Sequence, residues 1–348
     1  RAASTAVVDA PAMPPVWDIL ADDFESGTLD NWQLSSAPSP VLAPGRGVHG
    51  STGLAVPVTA DAAYLYQTKV AKAEEGYLSF RFHPNGVSLP EPDPNWWPPG
   101  TSLSIAEVVN SDDWWPPLVA LYVRRPPGEG YQAYLAWPTD EDGARYYDHE
   151  NAFDLVDGWQ QITLGYRINA WVAVWVDGEL VRYDDTTVVH SDPYGDIAFF
   201  GKIRDNSSAP SGSVLFDDVA VQVPRVDFLW VDAESGDDAR DGLSPAAALR
   251  TIQRAADLAG PGTTVHIRPG VYRERVWPSL NGTASAPVRY VAEEGPGTVA
   301  LRGSEPSSSL TWTQLTTNDI GLPPSVDPAQ IYVTDLSSWG RTEAPRFA

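Results

Sequence analysis

Two short segments combine residue types that suit sugar recognition: Asp93-Pro94-Asn95-Trp96-Trp97-Pro98-Pro99 and Asp112-Asp113-Trp114-Trp115-Pro116-Pro117. An exposed indole face stacks on the apolar face of a sugar ring, and a neighbouring carboxylate or amide can hold its hydroxyls. Trp96, Trp97, Trp114 and Trp115, with Asp112 and Asp113, are therefore candidate glycan contacts. The same Trp-Pro composition also stiffens loops or forms a contact between subunits, and those readings stay open. A second kind of chemistry is suggested by Asp232–Asp241 (DAESGDDARD), a dense set of acids around one glycine. It lacks the spacing and terminal Glu of an EF-hand, so it is either a calcium loop or a polar turn whose Asp residues bond their own backbone.

Catalytic patterns are thin. Glu107 is a lone acid in an apolar stretch, and Asp140-Glu141-Asp142 falls in a turn. His149, in Asp148-His149-Glu150, has no Ser or Cys motif to serve, so a triad is unsupported. Arg268, Arg273 and Arg275 are the basic groups a β-elimination would need beside calcium-binding acids, but arginine here is expected to pair with Glu274 or cap strand ends. No residue is assigned a catalytic role.

The elements that must position these groups are short strands. Ala63–Lys69, Tyr77–His83, Ser102–Val109, Tyr131–Trp137, Gln160–Arg167, Trp171–Val176 and Ser213–Val223 recur between turn clusters. In YLSFRFH, Leu78, Phe80 and Phe82 oppose Tyr77, Ser79 and Arg81, the period of two expected of half-buried antiparallel strands. Two stacked sheets are the natural way to bury them. Trp159 and Trp175 fall in this pattern and are expected in the core. After Pro224 the texture changes. A strand at Phe228–Val231 precedes the acidic turn, and Ser244-Pro245 opens a helix predicted to run to about Ala259, with Ser244 as its N-cap. Short strands follow at Thr264–Ile267, Val276, Val288–Val291 and Val299–Leu301, with His266 and Tyr290 about one turn of a parallel coil apart.

Residues 1–18 are Ala/Pro-rich and read as an extended leader, 19–224 as a sandwich, and 225–348 as an incomplete coil. The 32 prolines and 28 glycines disfavour long helices. A net charge of -23 without a basic cluster argues against nucleic acid and disfavours an anionic membrane surface as partner; it suits divalent cations or neutral glycans, or simply solubility. There are no cysteines, hence neither disulfides nor thiolate metal sites, and no apolar run long enough to span a membrane. The opening Arg1-Ala2-Ala3-Ser4 reads as a processed terminus, from which export to the cell surface or medium is expected.

Asp22-Asp23-Phe24-Glu25-Ser26-Gly27-Thr28-Leu29-Asp30-Asn31-Trp32 resembles the opening strand of concanavalin-like, laminin-G-like jelly rolls and of several carbohydrate-binding modules. His49–Leu54, Asp157–Ile162, Trp175–Leu180 and Val214–Val219 follow in the matching order. The resemblance implies that first and last strands lie side by side, bringing Asp23 and Glu25 near Asp217 and Asp218. In such modules a structural calcium sits at this seam, and carboxylates gathered there repel one another unless a cation neutralises them; solvated strand ends are the other reading. Glu25 and Asp217 are the foremost ligand candidates. The E-x-D-x-x-E strand of concanavalin-like hydrolases is absent.

A second resemblance runs through Leu229–Asp232, Ser235–Asp238, Asp241–Pro245, Leu249–Ala255 and Ile267–Glu274. It is to the amino-terminal part of pectate-lyase-like right-handed parallel β-helices, where a strand and a short helix cap the first coil. The surface on which such proteins carry chemistry would then lie beyond residue 348. The sequence reading is a jelly-roll sandwich followed by the first coils of a parallel β-helix. Its expected function is glycan binding or adhesion at the cell surface. Alternatives are a structural subunit that assembles as a homo-oligomer or filament, and a polysaccharide lyase or glycosidase with its catalytic coils further on.

Overall fold

In a computed structural model, residues 12–35, 38–68, 73–89, 102–110, 117–126, 128–138, 145–185, 195–205, 210–303, 313–314, 327 and 332–333 are described. The chain is mainly β. Two eight-stranded antiparallel sheets dominate it.

The first sheet runs β14 (Glu179–Asp184), β13 (Trp171–Val176), β12 (Gln160–Arg167), β6 (Glu75–His83), β16 (Ser213–Pro224), β4 (Gly53–Pro57), β3 (Val41–Ala43), with β1 (Val16–Asp22) also on β16. The second runs β10 (Arg145–Tyr147), β9 (Tyr131–Pro138), β8 (Val119–Arg124), β7 (Ser102–Val109), β15 (Ile197–Asp205), β5 (Ala63–Gln67), β2 (Gln33–Leu34), with β11 (Phe153–Leu155) on β9. One buried cluster draws on both, so the sheets form a sandwich. Leu78, Phe80 and Phe82 enter it as the alternation requires, and Phe80 meets Phe200 of the opposite sheet edge-on at 5.5 Å.

The outer face of the first sheet is also filled at one end. Tyr77, Trp171 and Trp175 pack over Gly165, where a Cβ would lie 2.8 Å from the Trp175 ring. Trp175 is thus buried as expected, but against the outside of the sheet. Trp159 is partly buried beside Ala43, Ala55 and Leu215. The first strand begins at Val16, within the stretch read as leader, because it pairs with β16 from Val16 opposite Pro224 to Asp22 opposite Val219.

Beyond Pro224, β17 (Phe228–Val231), β18 (Thr264–Ile267) and β20 (Arg289–Ala292) pair in parallel, as do β19 (Gly270–Tyr272) and β21 (Val299–Leu301). The register places Tyr290 opposite Val265 rather than His266, and Val276 lies outside any strand. The single helix expected from Ser244 to Ala259 is divided. A short 3-10 turn at Pro245–Ala247 is capped by Ser244, and the helix α1 (Ile252–Leu258) is capped by Thr251, whose side chain accepts from Arg254 N. Between them the backbone is extended: Leu249 N donates to Trp230 O and Leu249 O accepts from Asp232 N, so bonding to β17 outcompetes a continuous helix.

The two parts are joined by named contacts. Arg225 N donates to Pro15 O, Arg225 lies over the Trp17 ring at 4.9 Å, and both terminal nitrogens of Arg254 reach the Glu74 carboxylate at 2.6 and 3.3 Å.

Candidate functional site

The seam expected from the sequence exists. A bulge in β16 between Asp217 and Ala220 leaves Asp218 with φ 47 and gives two adjacent aspartates different surroundings. Asp217 is 2% exposed, and its burial is offset by donors from residues 48–51. Oδ2 accepts from Val48 N and Ser51 Oγ, both at 2.8 Å, and Oδ1 from Asp218 N at 2.9 Å. This approach needs Gly47, where a Cβ would lie 2.5 Å from Asp217 Oδ2. Glu25 accepts from Thr52 N, and Asp23 from Glu25 N. Asp22 holds the turn after β1 by accepting from Phe24 N and the Trp32 indole, both at 2.8 Å.

The pKa of Asp218 is raised, first by desolvation at the seam and then by Asp217; Arg81 opposes this, and Asp23 and Glu25 add to it. The four acids are thus close enough to feel one another, while Asp217 and Glu25 are committed to chain donors. Among the described residues no group of three or more His, Asp or Glu is arranged to hold a metal ion.

Beside the seam, the outer face of the first sheet contains a cleft of about 520 Å³. Its origin is the cross-strand register. Ala21 of β1 pairs with Ala220 of β16, and Ala220 with Ser79 of β6, so three small side chains lie in one row across three strands. Longer polar groups stand around that row. Gln222 Nε2 donates to Asp18 at 2.7 Å, and Gln161 Nε2 to Ser79 Oγ at 2.7 Å; Asp23 and Asp218 close the seam end. Gln222 Oε1 is buried without a hydrogen-bond partner. Among the described lining residues there is no cation, and Arg81 in the neighbouring row lies 3.9 Å from Asp177. The arrangement offers carboxylates, amides and a hydroxyl around a methyl floor.

A larger cavity, about 630 Å³, lies where the sandwich meets the parallel strands, with Val223, Leu229, Leu258 and Leu280 among its lining. Its Arg254 is held by Glu74, its Arg167 lies 3.9 Å from Glu75, and its Arg240 donates to Ser235 O and Ala246 O. Of these contacts, the Arg254–Glu74 pair joins the two parts of the chain.

The remaining sequence candidates fall in varied places. Trp96, Trp97, Asp112, Asp113, Trp114, Trp115 and Asp140–Asp142 lie outside the described residues. Glu107 is fully buried and accepts from Ser104 Oγ at 2.6 Å. His149 packs between Tyr134 and Tyr147, its pKa lowered by burial and then by Arg124, with Asp148 opposing. In the acidic turn, Asp232 accepts from Glu234 N, Ser235 N, Ser235 Oγ and Arg268; Asp238 accepts from Arg250 N, Thr251 N and Thr251 Oγ1; Asp241 accepts from Leu243 N. Asp232 and Asp241 thus bond neighbouring backbone, as a polar turn would, while Asp238 also ties the turn to the start of α1. Glu274 caps α1 by accepting from Ile252 N and Gln253 N.

Sequence reasoning missed Asp18, Ser79, Gln161, Ala21, Ala220 and Gln222 as a group. Each is unremarkable alone, and only pairing between residues some two hundred positions apart unites them.

No protein-family model matches the chain, and neither does any curated protein. Remote likenesses to solved structures exist. An endo-β-1,4-glucuronan lyase from the fungus Trichoderma reesei aligns with a TM-score of 0.44 and 14% identity over 61% of this chain and 98% of its own. The cellulose induced protein Cip1 aligns at 0.40 and 14%, over 58% and 96%. A carbohydrate esterase from the Shiga toxin-encoding bacteriophage phi24B aligns at 0.40 and 14%, over 61% and 100%. At these scores the functional reading rests on the chain's own residues.

Proposed function

We propose that this chain is an extracellular glycan-binding protein: a jelly-roll sandwich that holds sugar, joined to the first coils of a right-handed parallel β-helix. The observation that carries the reading is the cleft of about 520 Å³ beside the seam, in which hydroxyl-matching groups surround a methyl floor. The direct test is a glycan array probed with the purified chain, with and without chelator. Binding to at least one glycan is expected; no binding in either condition overturns the reading.

A calcium ion at the seam belongs to the same proposal. What supports it is the crowding of Asp23, Glu25 and Asp217 around Asp218, a repulsion that a cation would relieve. Asp217 accepts three donors and Glu25 and Asp23 one each, so Asp218 has the freest oxygens, and backbone carbonyls would complete the shell. A cation that binds only the folded chain stabilises it by about 2.7 kcal/mol at a hundredfold excess over Kd. A rise in Tm with calcium, reversed by chelator, is expected; identical melting curves would discard the ion.

A second reading, a subunit that assembles with copies of itself, is favoured by a different observation. Tyr290 and Val291 of β20, Leu301 of β21 and nearby Trp277 are all exposed. Light scattering distinguishes the two, since a monomer that binds sugar removes the assembly reading.

A further inference from the structure

We infer that the cleft on the outer face of the first sheet takes a non-acidic sugar unit and rejects uronates; this rests on the glycan-binding reading and specifies its site and substrate class. The placement follows from the register. The row Ala21–Ala220–Ser79 lowers the surface across three adjacent strands, because a larger residue at either alanine would occupy the space directly above its partner. The two methyl groups floor the depression and can meet the C–H face of a pyranose. Hydroxyls reaching outward from such a ring would find acceptors at Asp18, Asp23 and Asp218.

The substrate class follows from charge. Every ionisable group among the described lining residues is a carboxylate, and Asp217 stands behind Asp218. A neutral sugar donates hydrogen bonds to these groups. With no cation at the seam, a uronate adds a like charge with no guanidinium or ammonium among the lining residues to receive it. Net charge alone would repel uronates from any face of this protein, so the experiment must locate the site as well as rank the ligands.

Isothermal titration with cellohexaose, xylohexaose and hexagalacturonate in buffer containing chelator supplies the ranking, so that no ion at the seam meets the uronate. At least one neutral hexasaccharide is expected to bind, and hexagalacturonate at least tenfold more weakly. Two substitutions that leave net charge unchanged locate the site. Ala220→Leu fills the floor, and Gln222→Ala removes wall contacts without touching the floor; Tm identifies any variant that fails to fold. At least a tenfold loss is expected for Ala220→Leu and a smaller loss for Gln222→Ala. If both folded variants bind neutral sugar like the parent, the cleft is not the site, although the glycan-binding reading stands. If hexagalacturonate binds as tightly as the neutral sugars, the charge argument fails. Absence of binding to every glycan on the array overturns the underlying reading, and the inference with it.

Discussion

Asp217 and Asp232 show how one residue type serves different ends in this chain. Asp217 is buried at the seam and accepts three donors, two of them from residues 48–51, so Asp217→Ala strands Val48 N and Asp218 N and removes one of the two partners of Ser51 Oγ. A loss of about 2 kcal/mol or more is expected, read from the shift in urea midpoint. Asp232 is an exceptionally well-satisfied carboxylate. Its hydrogen bonds from Ser235, with Arg268 and Glu234 N adding, hold its pKa far below the ordinary carboxylate value. The unfolded chain releases this proton near pH 4, so the stabilisation is complete above about pH 4 and is lost as pH falls from there towards the folded value. Asp232→Asn should lower stability at pH 7 by about 1–3 kcal/mol and flatten this part of the acid limb, measured by thermal melts between pH 2.5 and 7. An acid limb identical to the parent's would contradict the assignment.

At the scale of elements, legibility depended on exposure. β6 and β12 read correctly because apolar residues alternate with other types along them, and in β6 the intervening face is partly solvated. β8 did not, because VALYVR is buried over its first five residues and presents no alternation, and prolines flank it on both sides. The helix prediction failed at Ala248–Leu249, where backbone bonds to β17 replace helical ones, and Thr251 rather than Ser244 starts α1. Thr251→Ala is therefore expected to cost about 1 kcal/mol and Thr251→Ser almost nothing, by chemical denaturation. Equal effects of the two would show that the hydroxyl is not the cap.

Across the whole molecule, the sandwich and the parallel strands are coupled through Arg254 and Glu74. The pair is partly exposed, so a double-mutant cycle with Arg254→Ala and Glu74→Ala should give a coupling of about 0.5–1 kcal/mol, read from denaturation midpoints. A coupling of zero would mean that the two parts melt independently of this contact.

The sequence by itself determined the mainly β character, from alternation and turn residues readable over a few positions, and the resemblance of its ordered motifs to jelly rolls implied the proximity of Asp23 and Glu25 to Asp217 and Asp218. Only the tertiary structure decided that Asp217 and Glu25 serve chain donors while Asp218 stays exposed, and that two alanines and a serine lie in one row to open a cleft. A bulge and a cross-strand register set those outcomes. Both are properties of pairing between distant strands, and neither strand's residues encode them alone.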